Sequence, residues 1–430
     1  MKINSIRIVD FRGIEDRTFI FNSQFNVLIG ENGSGKTSVL EALSAAINPY
    51  VAISQGKNVR PIRKDDVRVV NFGPSIEAKT KTTLYVKGEI EGKKVDWVIK
   101  KAHFHFGFMQ GDDKEIKEIS KNHFSVLSEN GGKDIILPVF DYLGCGRLFS
   151  EPSKSLKILP KGSRYEGYYN CLESTSSIKR FASWFKTMEL SLLQGNETAK
   201  LRAQVIKRAV RNCLDGWETI FYGIEEDQLM AMRATSKHEV LPFNYLSDGQ
   251  RNIIGIVADI AYRCVLLNPY LGIDAAIKSS GIVLIDELDL HLHPKWQRTI
   301  VSKLKETFPN IQFITTTHSP FIVQSLKNNE LIDLEGKEMT DDYEKIGLEE
   351  IVEGEMGVKD AQKSKRFLKM KNVADKYYNL ILEGKDNNDL NEINRIKNEL
   401  ETLLIPFYDD PAYVTYLESF KHLLNNETNK

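Results

Sequence analysis

The octapeptide Gly30-Glu31-Asn32-Gly33-Ser34-Gly35-Lys36-Thr37 constrains this chain more than any other segment, because it satisfies G-x-x-x-x-G-K-[ST]. Its flanks make the match informative. Phe25 to Ile29 reads as a short buried strand, and Ser38 to Ile47 has the composition and spacing of a helix with Thr37 and Ser38 at its start. Glycines reach backbone conformations that other residues avoid, so successive N–H groups in such a loop turn inward on an anion at the positive end of the following helix. The pattern therefore predicts a Walker A loop on a strand–loop–helix unit, with the backbone of Gly30 to Ser38 around the phosphates of ATP. Lys36 would reach the β- and γ-phosphates, and Thr37 would be a ligand of Mg2+.

A second constraint lies far downstream, in Leu284-Ile285-Asp286-Glu287-Leu288-Asp289-Leu290-His291-Leu292-His293-Pro294. Its three carboxylates and two imidazoles raise the question of a zinc site, with His291, His293 and Asp289 as ligands. The run Ile282 to Ile285 reads instead as a fully buried parallel strand, and a carboxylate pair at its end has no packing reason to be there. That pair fits a Walker B site: Asp286 holds Mg2+, and Glu287 orients or deprotonates an attacking water. Pro294 opens a helix that includes Lys295 to Leu304.

Between the two motifs, Leu246-Ser247-Asp248-Gly249-Gln250 precedes the helical run Ile253 to Leu267. Its hydroxyl, glycine turn and helix N-terminus form a second anion-binding device. Two such devices in one chain invite a dimer. His318 stands in Thr315-Thr316-Thr317-His318-Ser319-Pro320, directly after the β-branched run Ile311 to Thr317.

In order, these motifs resemble those of ABC-type ATPases. LSDGQ is similar to the LSGGQ signature, which closes over the γ-phosphate held by another subunit's Walker A loop; Ser247, Asp248, Gly249 and Gln250 are then nucleotide contacts. His318 takes the switch-histidine place, beside the attacking water, and Leu288 to His293 takes that of the D-loop along the subunit interface. Phe11-Arg12-Gly13 resembles the N-terminal motif of the RecF and SMC branch, which implies Arg12 near the base. One departure stands out: the Q-loop stretch, Asp141-Tyr142-Leu143-Gly144-Cys145-Gly146-Arg147, has no glutamine. Arg147 either faces phosphate in its place or the coupling is built differently.

LSDGQRN, LNPYLG, IDELDLHLHP, THSP and the tail LIPFYDDPAY together resemble the ABC-like AAA ATPases of Septu anti-phage defence, also found in some retron cassettes. The resemblance implies an ATPase that does not itself cut nucleic acid but controls a separate HNH-type nuclease, and a head-to-tail ATP-sandwich homodimer that can assemble further. Two alternatives are weighed. A RecF-like repair ATPase shares the motifs. An overcoming-lysogenization-defect ATPase with a Toprim nuclease is echoed by Leu380 to Asp386, but only 44 residues follow, too few for the later acidic strands of a Toprim fold.

The expected fold is α/β: an ATPase head with a mixed and parallel sheet, an inserted helical subdomain and a helical C-terminal region. Residues 1–160 and 239–335 form the head, 161–238 the insert, and 336–430 a region for partner or self-association. Gly111 to Gly132 reads as a surface-lying polar segment, and Lys57, Arg60, Arg63, Lys64 and Arg68 as an exposed basic loop. Cationic and anionic residues nearly cancel, 58 against 59, so DNA contact would need local patches: that loop, the 200–211 helix or Lys363 to Lys371. Such contact would weaken as salt rises. Four dispersed cysteines without a CxxC pair fit a reducing compartment, and no membrane-length apolar run or signal-like start is present, so a cytoplasmic protein is expected.

Overall fold

Chain order in the computed structural model begins with Lys2–Phe11 (β1), Ile14–Ile20 (β2), Phe25–Ile29 (β3), Lys36–Gln55 (α1), Val69–Phe72 (β4), Ser75–Ala78 (β5), Lys81–Ile90 (β6) and Lys93–Ala102 (β7). Lys114–Asn130 (α2), Val139–Leu143 (β8), Ile178–Leu193 (α3), Glu197–Cys213 (α4), Trp217–Gly223 (β9), Gln228–Arg233 (β10), Val240–Pro242 (β11) and Asp248–Leu267 (α5) come next. Ala275–Lys278 (α6), Gly281–Ile285 (β12), Pro294–Gln297 (α7), Ile300–Thr307 (α8), Ile311–Thr316 (β13), Pro320–Gln324 (α9), Leu331–Asp333 (β14), Leu348–Glu350 (α10), Lys365–Leu382 (α11) and Leu390–Leu404 (α12) complete it. The structure describes residues 1–56, 59–73, 75–102, 111–147, 163–174, 178–235, 239–327, 329–336, 343–357, 365–382 and 390–404.

The site is positioned by a parallel sheet of order β14-β3-β13-β12-β8. Every residue of β3, β8, β12 and β13 is buried, which is why these strands read as unbroken apolar or β-branched runs and not as alternating ones. Ile285 pairs with Thr315 and with Leu143, and Thr316 with Leu28, so four strands end at nearly one level. Gly30, Gly144, Asp286 and Thr317 therefore leave the sheet side by side at its carboxyl edge, where open α/β sheets place their ligands.

The alternating text at the N-terminus forms an antiparallel sheet, β2-β1-β6-β7. Gln312 of β13 joins it to the parallel sheet: its amide donates to Ile3 O and Asn22 O and accepts from Ile3 N, all at 2.8 Å. A buried glutamine so satisfied fixes the relation of the two layers. Contacts divide the chain into Met1–Ile351 and Val352–Lys430. Within the second unit, Met370, Val373 and Ala374 of α11 pack with Leu400 of α12.

Three sequence expectations differ from the structure. Residues 161–238 hold α3 and α4 but also β9 and β10, which join β11 in an antiparallel sheet, so the insert is mixed and not helical throughout. Gly111 to Gly132 contains α2, whose buried positions are Ile116, Ser120, His123 and Phe124. Ile116, Ile119, Phe124 and Leu127 recur at helical spacing there, but the buried face is also half polar and the surrounding text is charged. Lys295 to Leu304 is split between α7 and α8.

Gly281 opens β12 against β8 so closely that a Cβ there would lie 1.9 Å from Val139 O. Gly281→Ala is expected to destabilise the fold by about 1–3 kcal/mol, the usual cost of overpacking. Gly13, with open space around it, is the control position. Equal thermal midpoints for the two alanine variants would contradict this packing.

Candidate functional site

Gly33 and Gly35 take φ values of 90° and 100°, in the left-handed region, and Gly35 is the N-cap of α1. Side chains there would be strained, which explains two of the motif's glycines locally. The Lys36 ammonium folds back over the loop, donating to Gly30 O at 2.7 Å and Glu31 O at 2.9 Å. Burial holds its pKa below the usual lysine range, against the opposing pull of Asp286 and Glu287. Glu31 N donates to Glu335 Oε1, Asn32 and Gly33 are exposed, Ser38 is half-buried, and Ser34 Oγ is buried without a hydrogen-bond partner.

Asp286 is buried at the end of β12, and hydroxyls from both neighbouring segments meet it. Thr316 Oγ1 donates to its Oδ1 at 2.7 Å and Thr37 Oγ1 to its Oδ2 at 3.0 Å. Cys145 Sγ lies 3.3 Å from the same Oδ2, and burial followed by the Asp286 charge pushes its thiol up to about 12. One carboxylate beside one threonine hydroxyl is a set of hard oxygens suited to Mg2+, which takes few protein ligands and completes its shell with phosphates and water. Among the described residues no group of three His, Cys, Asp or Glu side chains is placed to hold a metal.

Glu287 follows at φ 49°, a left-handed conformation rare for a residue with a side chain. Its N–H donates to Thr316 Oγ1 at 2.7 Å, so this hydroxyl links both acids. Asp289 Oδ1 accepts from Thr317 Oγ1 and, at 3.2 Å, from His318 N. The D-loop thereby anchors the backbone that presents the exposed His318 side chain. Thr316 and Asp289 were not singled out for these contacts; β-branched text on a buried strand gave no sign that one hydroxyl would serve two carboxyl-bearing residues.

The signature segment lies at the start of α5. Ser247 Oγ accepts from Gln250 N, and Gln250 Oε1 accepts from Ser247 N at 3.0 Å, a reciprocal cap that leaves the serine hydroxyl proton for another acceptor. Asp248 is ion-paired with Arg251. Gly249 is required by packing: a Cβ there would sit 2.4 Å from His291 O of the D-loop. Ser247, Asp248, Gly249, His291, His293 and Trp296 line a cavity of about 850 Å3. No residue of the 30–37 loop lines it. The signature's cavity is thus not shared with the 30–37 loop of the same subunit.

Arg147 does not face a phosphate. It is buried and donates to Asn252 Oδ1, Gly144 O, Asp286 O and Glu287 O. Arg12, also at positive φ, bonds Asp66 through Nε at 3.0 Å, lies 3.9 Å from Glu41 on α1 and stacks over the Phe11 ring. Arg60 corrects the basic-loop expectation: it is fully buried and paired with Glu41 and Asp66. Arg63 pairs with Glu173 and Arg68 with Glu15, while Lys57 and Lys363 fall outside the described residues, as does the 405–413 tail.

Residues 5–208 match a family model described as an AAA domain, and residues 179–324 match a second AAA-domain model associated with AbiEii toxins of type IV toxin–antitoxin systems. The retron Vc95 "probable ATPase" of Vibrio cholerae is 26% identical, over 77% of this chain and 73% of that protein. Septu protein PtuA of Bacillus thuringiensis is 26% identical, over 79% of this chain and 78% of its own. A RecF protein of Francisella tularensis is 44% identical over 43 residues, 10% of this chain. Among solved structures, an SMC head bound to the C-terminal winged-helix domain of ScpA aligns with 79% of this chain and 96% of its own at 15% identity and a TM-score of 0.47. The chain thus has an α/β fold, matches AAA-domain models across residues 5–324, and is similar to the Septu PtuA and retron ATPases over most of its length.

Proposed function

We propose that this protein is the ATP-binding and hydrolysing regulatory subunit of an anti-phage defence complex, in which nucleotide state controls a separate HNH-type nuclease. The observation that carries the ATPase part is the convergence of Lys36, Thr37, Asp286, Glu287 and His318 on one edge of the parallel sheet. The defence setting is supported by the Septu and retron relatives. The short RecF match is confined to a tenth of the chain and does not favour a repair role.

The working unit of this reading is a head-to-tail homodimer. Each nucleotide lies between the 30–37 loop of one subunit and Ser247 to Gln250 of the other, a reading supported by the absence of the 30–37 loop from the cavity beside the signature in a single chain. Lys36 and the loop amides bind the phosphates, Thr37 and Asp286 hold Mg2+, and Glu287 takes the proton of the attacking water while His318 orients it. Mg2+, when bound, neutralises charge developing on the phosphates. His291 and His293 contact the partner from the D-loop. DNA would meet the exposed Arg208 and Arg211 of α4, since Arg60, Arg63 and Arg68 of the basic loop are held in internal ion pairs.

Glu287→Gln is expected to lower ATP turnover by about 100-fold or more, the usual worth of a general base, while ATP binding persists. With ATP and Mg2+ the variant should accumulate as a dimer in light scattering, and it should arrest the nucleotide control of a co-expressed HNH nuclease. DNA cleavage by this chain alone, retained in Glu287→Gln, would contradict the regulatory role. A second prediction concerns Thr316→Val, which keeps shape but strands Asp286 Oδ1 and Glu287 N at a cost of about 1–3 kcal/mol. It should raise the Mg2+ concentration for half-maximal turnover; an unchanged Mg2+ dependence would contradict the role of this hydroxyl.

A further inference from the structure

Nucleotide binding gives no reason for the buried cluster around Arg147. Its guanidinium is held by one amide oxygen and three backbone carbonyls, and none of these partners is a carboxylate: Asn252 Oδ1 at 2.5 Å from Nε, Gly144 O at 3.1 Å and Asp286 O at 2.7 Å from Nη1, and Glu287 O at 2.9 Å from Nη2. Burial lowers its pKa to about 10. A buried cation with no carboxylate among its described hydrogen-bond partners is an expensive group, so its planar fork must serve a geometric purpose that a point charge cannot.

The partners come from three segments that the reaction needs together. Gly144 follows β8, Asp286 and Glu287 follow β12, and Asn252 lies one turn into α5 after the signature. Asn252 extends the chain of contacts, donating through Nδ2 to Leu290 O of the D-loop at 2.6 Å. Gly249 touches the same loop at His291 O without space for a Cβ. Glu287, at positive φ, has its carbonyl held by Arg147 and by Leu290 N at 3.0 Å. The first turn of α5 and the backbone that aims Glu287 are thus tied rigidly within one subunit.

We propose that Arg147 and Asn252 are positioning residues forming a relay: when Ser247 to Gln250 of one subunit grips the nucleotide held by its partner, the relay sets Glu287 of the gripping subunit for attack on its own nucleotide. The relay makes hydrolysis at the two sites of a dimer interdependent. It stands where other ATPases of this type use a glutamine, and it rests on the ATP-sandwich reading.

Asn252→Asp is the sharpest variant, because it keeps an acceptor for Arg147 and removes the donor to Leu290 O. Arg147→Lys is the second, as one ammonium cannot reproduce the fork. The measurements are ATP binding with a fluorescent analogue, ATP-driven dimerisation of each variant in the Glu287→Gln background, thermal midpoint, and steady-state kcat and KM. The expected result is ATP binding, dimerisation and KM within about two-fold of the parent, with kcat lowered by about ten-fold or more, as misplacement of a reacting group produces. An unchanged kcat in Asn252→Asp overturns the relay, and so does a parallel loss of ATP binding, thermal midpoint and kcat, which marks a strut of the fold. Failure of Glu287→Gln alone to dimerise with ATP overturns the sandwich reading, and the relay with it.

Discussion

The carboxylate of Asp286 is the point on which the rest of the site depends. It is buried at the end of β12, and Thr37 and Thr316 bring hydroxyls to its two oxygens from the P-loop helix and the adjacent strand. A buried carboxylate is tolerable only with such donors. Satisfying it requires that β12 and β13 run parallel in a set register and that α1 begin where Thr37 can reach across. The parallel sheet, its common carboxyl edge and the left-handed turn at Glu287 all serve this one placement.

Around that point the chain spends its buried charge on geometry. Asp66 and Glu41 clamp Arg60 against the base of α1, and Asp141 on β8 meets Arg263 on α5 with Asp259 one turn away. Desolvation raises Asp141 well above the ordinary carboxylate range, opposed by the Arg263 charge. Buried pairs of this kind contribute little net stability, and breaking one by removing a partner costs several kcal/mol. They act as locks that fix which helix lies on which strand, and α5, which carries the signature, is locked twice: through Arg263 to β8 and through Asn252 to the β12 edge.

The motifs whose chemistry is contiguous in the chain were legible. Gly30 to Thr37, Asp286-Glu287 and Thr317-His318 each combine a strand end with residues that packing alone would not choose, and the sheet brings them to one edge. Illegible were the groups whose meaning depends on a distant partner. Arg60 read as solvent-exposed because nothing local signals that Glu41, 19 positions away, and Asp66 would bury it. Arg147 read as a phosphate-facing candidate or a sign of different coupling, because nothing local signals its bond to Asn252, 105 residues on. Helix α2 escaped because Ser120 and His123 occupy its buried face; both are engaged by Tyr50, whose carbonyl accepts from Ser120 Oγ and whose hydroxyl meets His123 Nδ1 at 2.6 Å.

The central claim is that one ATP site is built from two copies of this chain, and mixing two inactive variants tests it most directly. Lys36→Ala removes the phosphate-binding lysine, and Ser247→Arg blocks the signature; each alone leaves no intact composite site in a homodimer. In a mixed dimer, one site pairs an intact Walker A loop with an intact signature. The account predicts that ATP-driven dimerisation, absent from either variant alone, reappears on mixing and scales with the fraction of mixed pairs, while turnover stays low because the subunit holding the nucleotide carries the blocked signature. A mixture of folded variants that stays monomeric with ATP would contradict it.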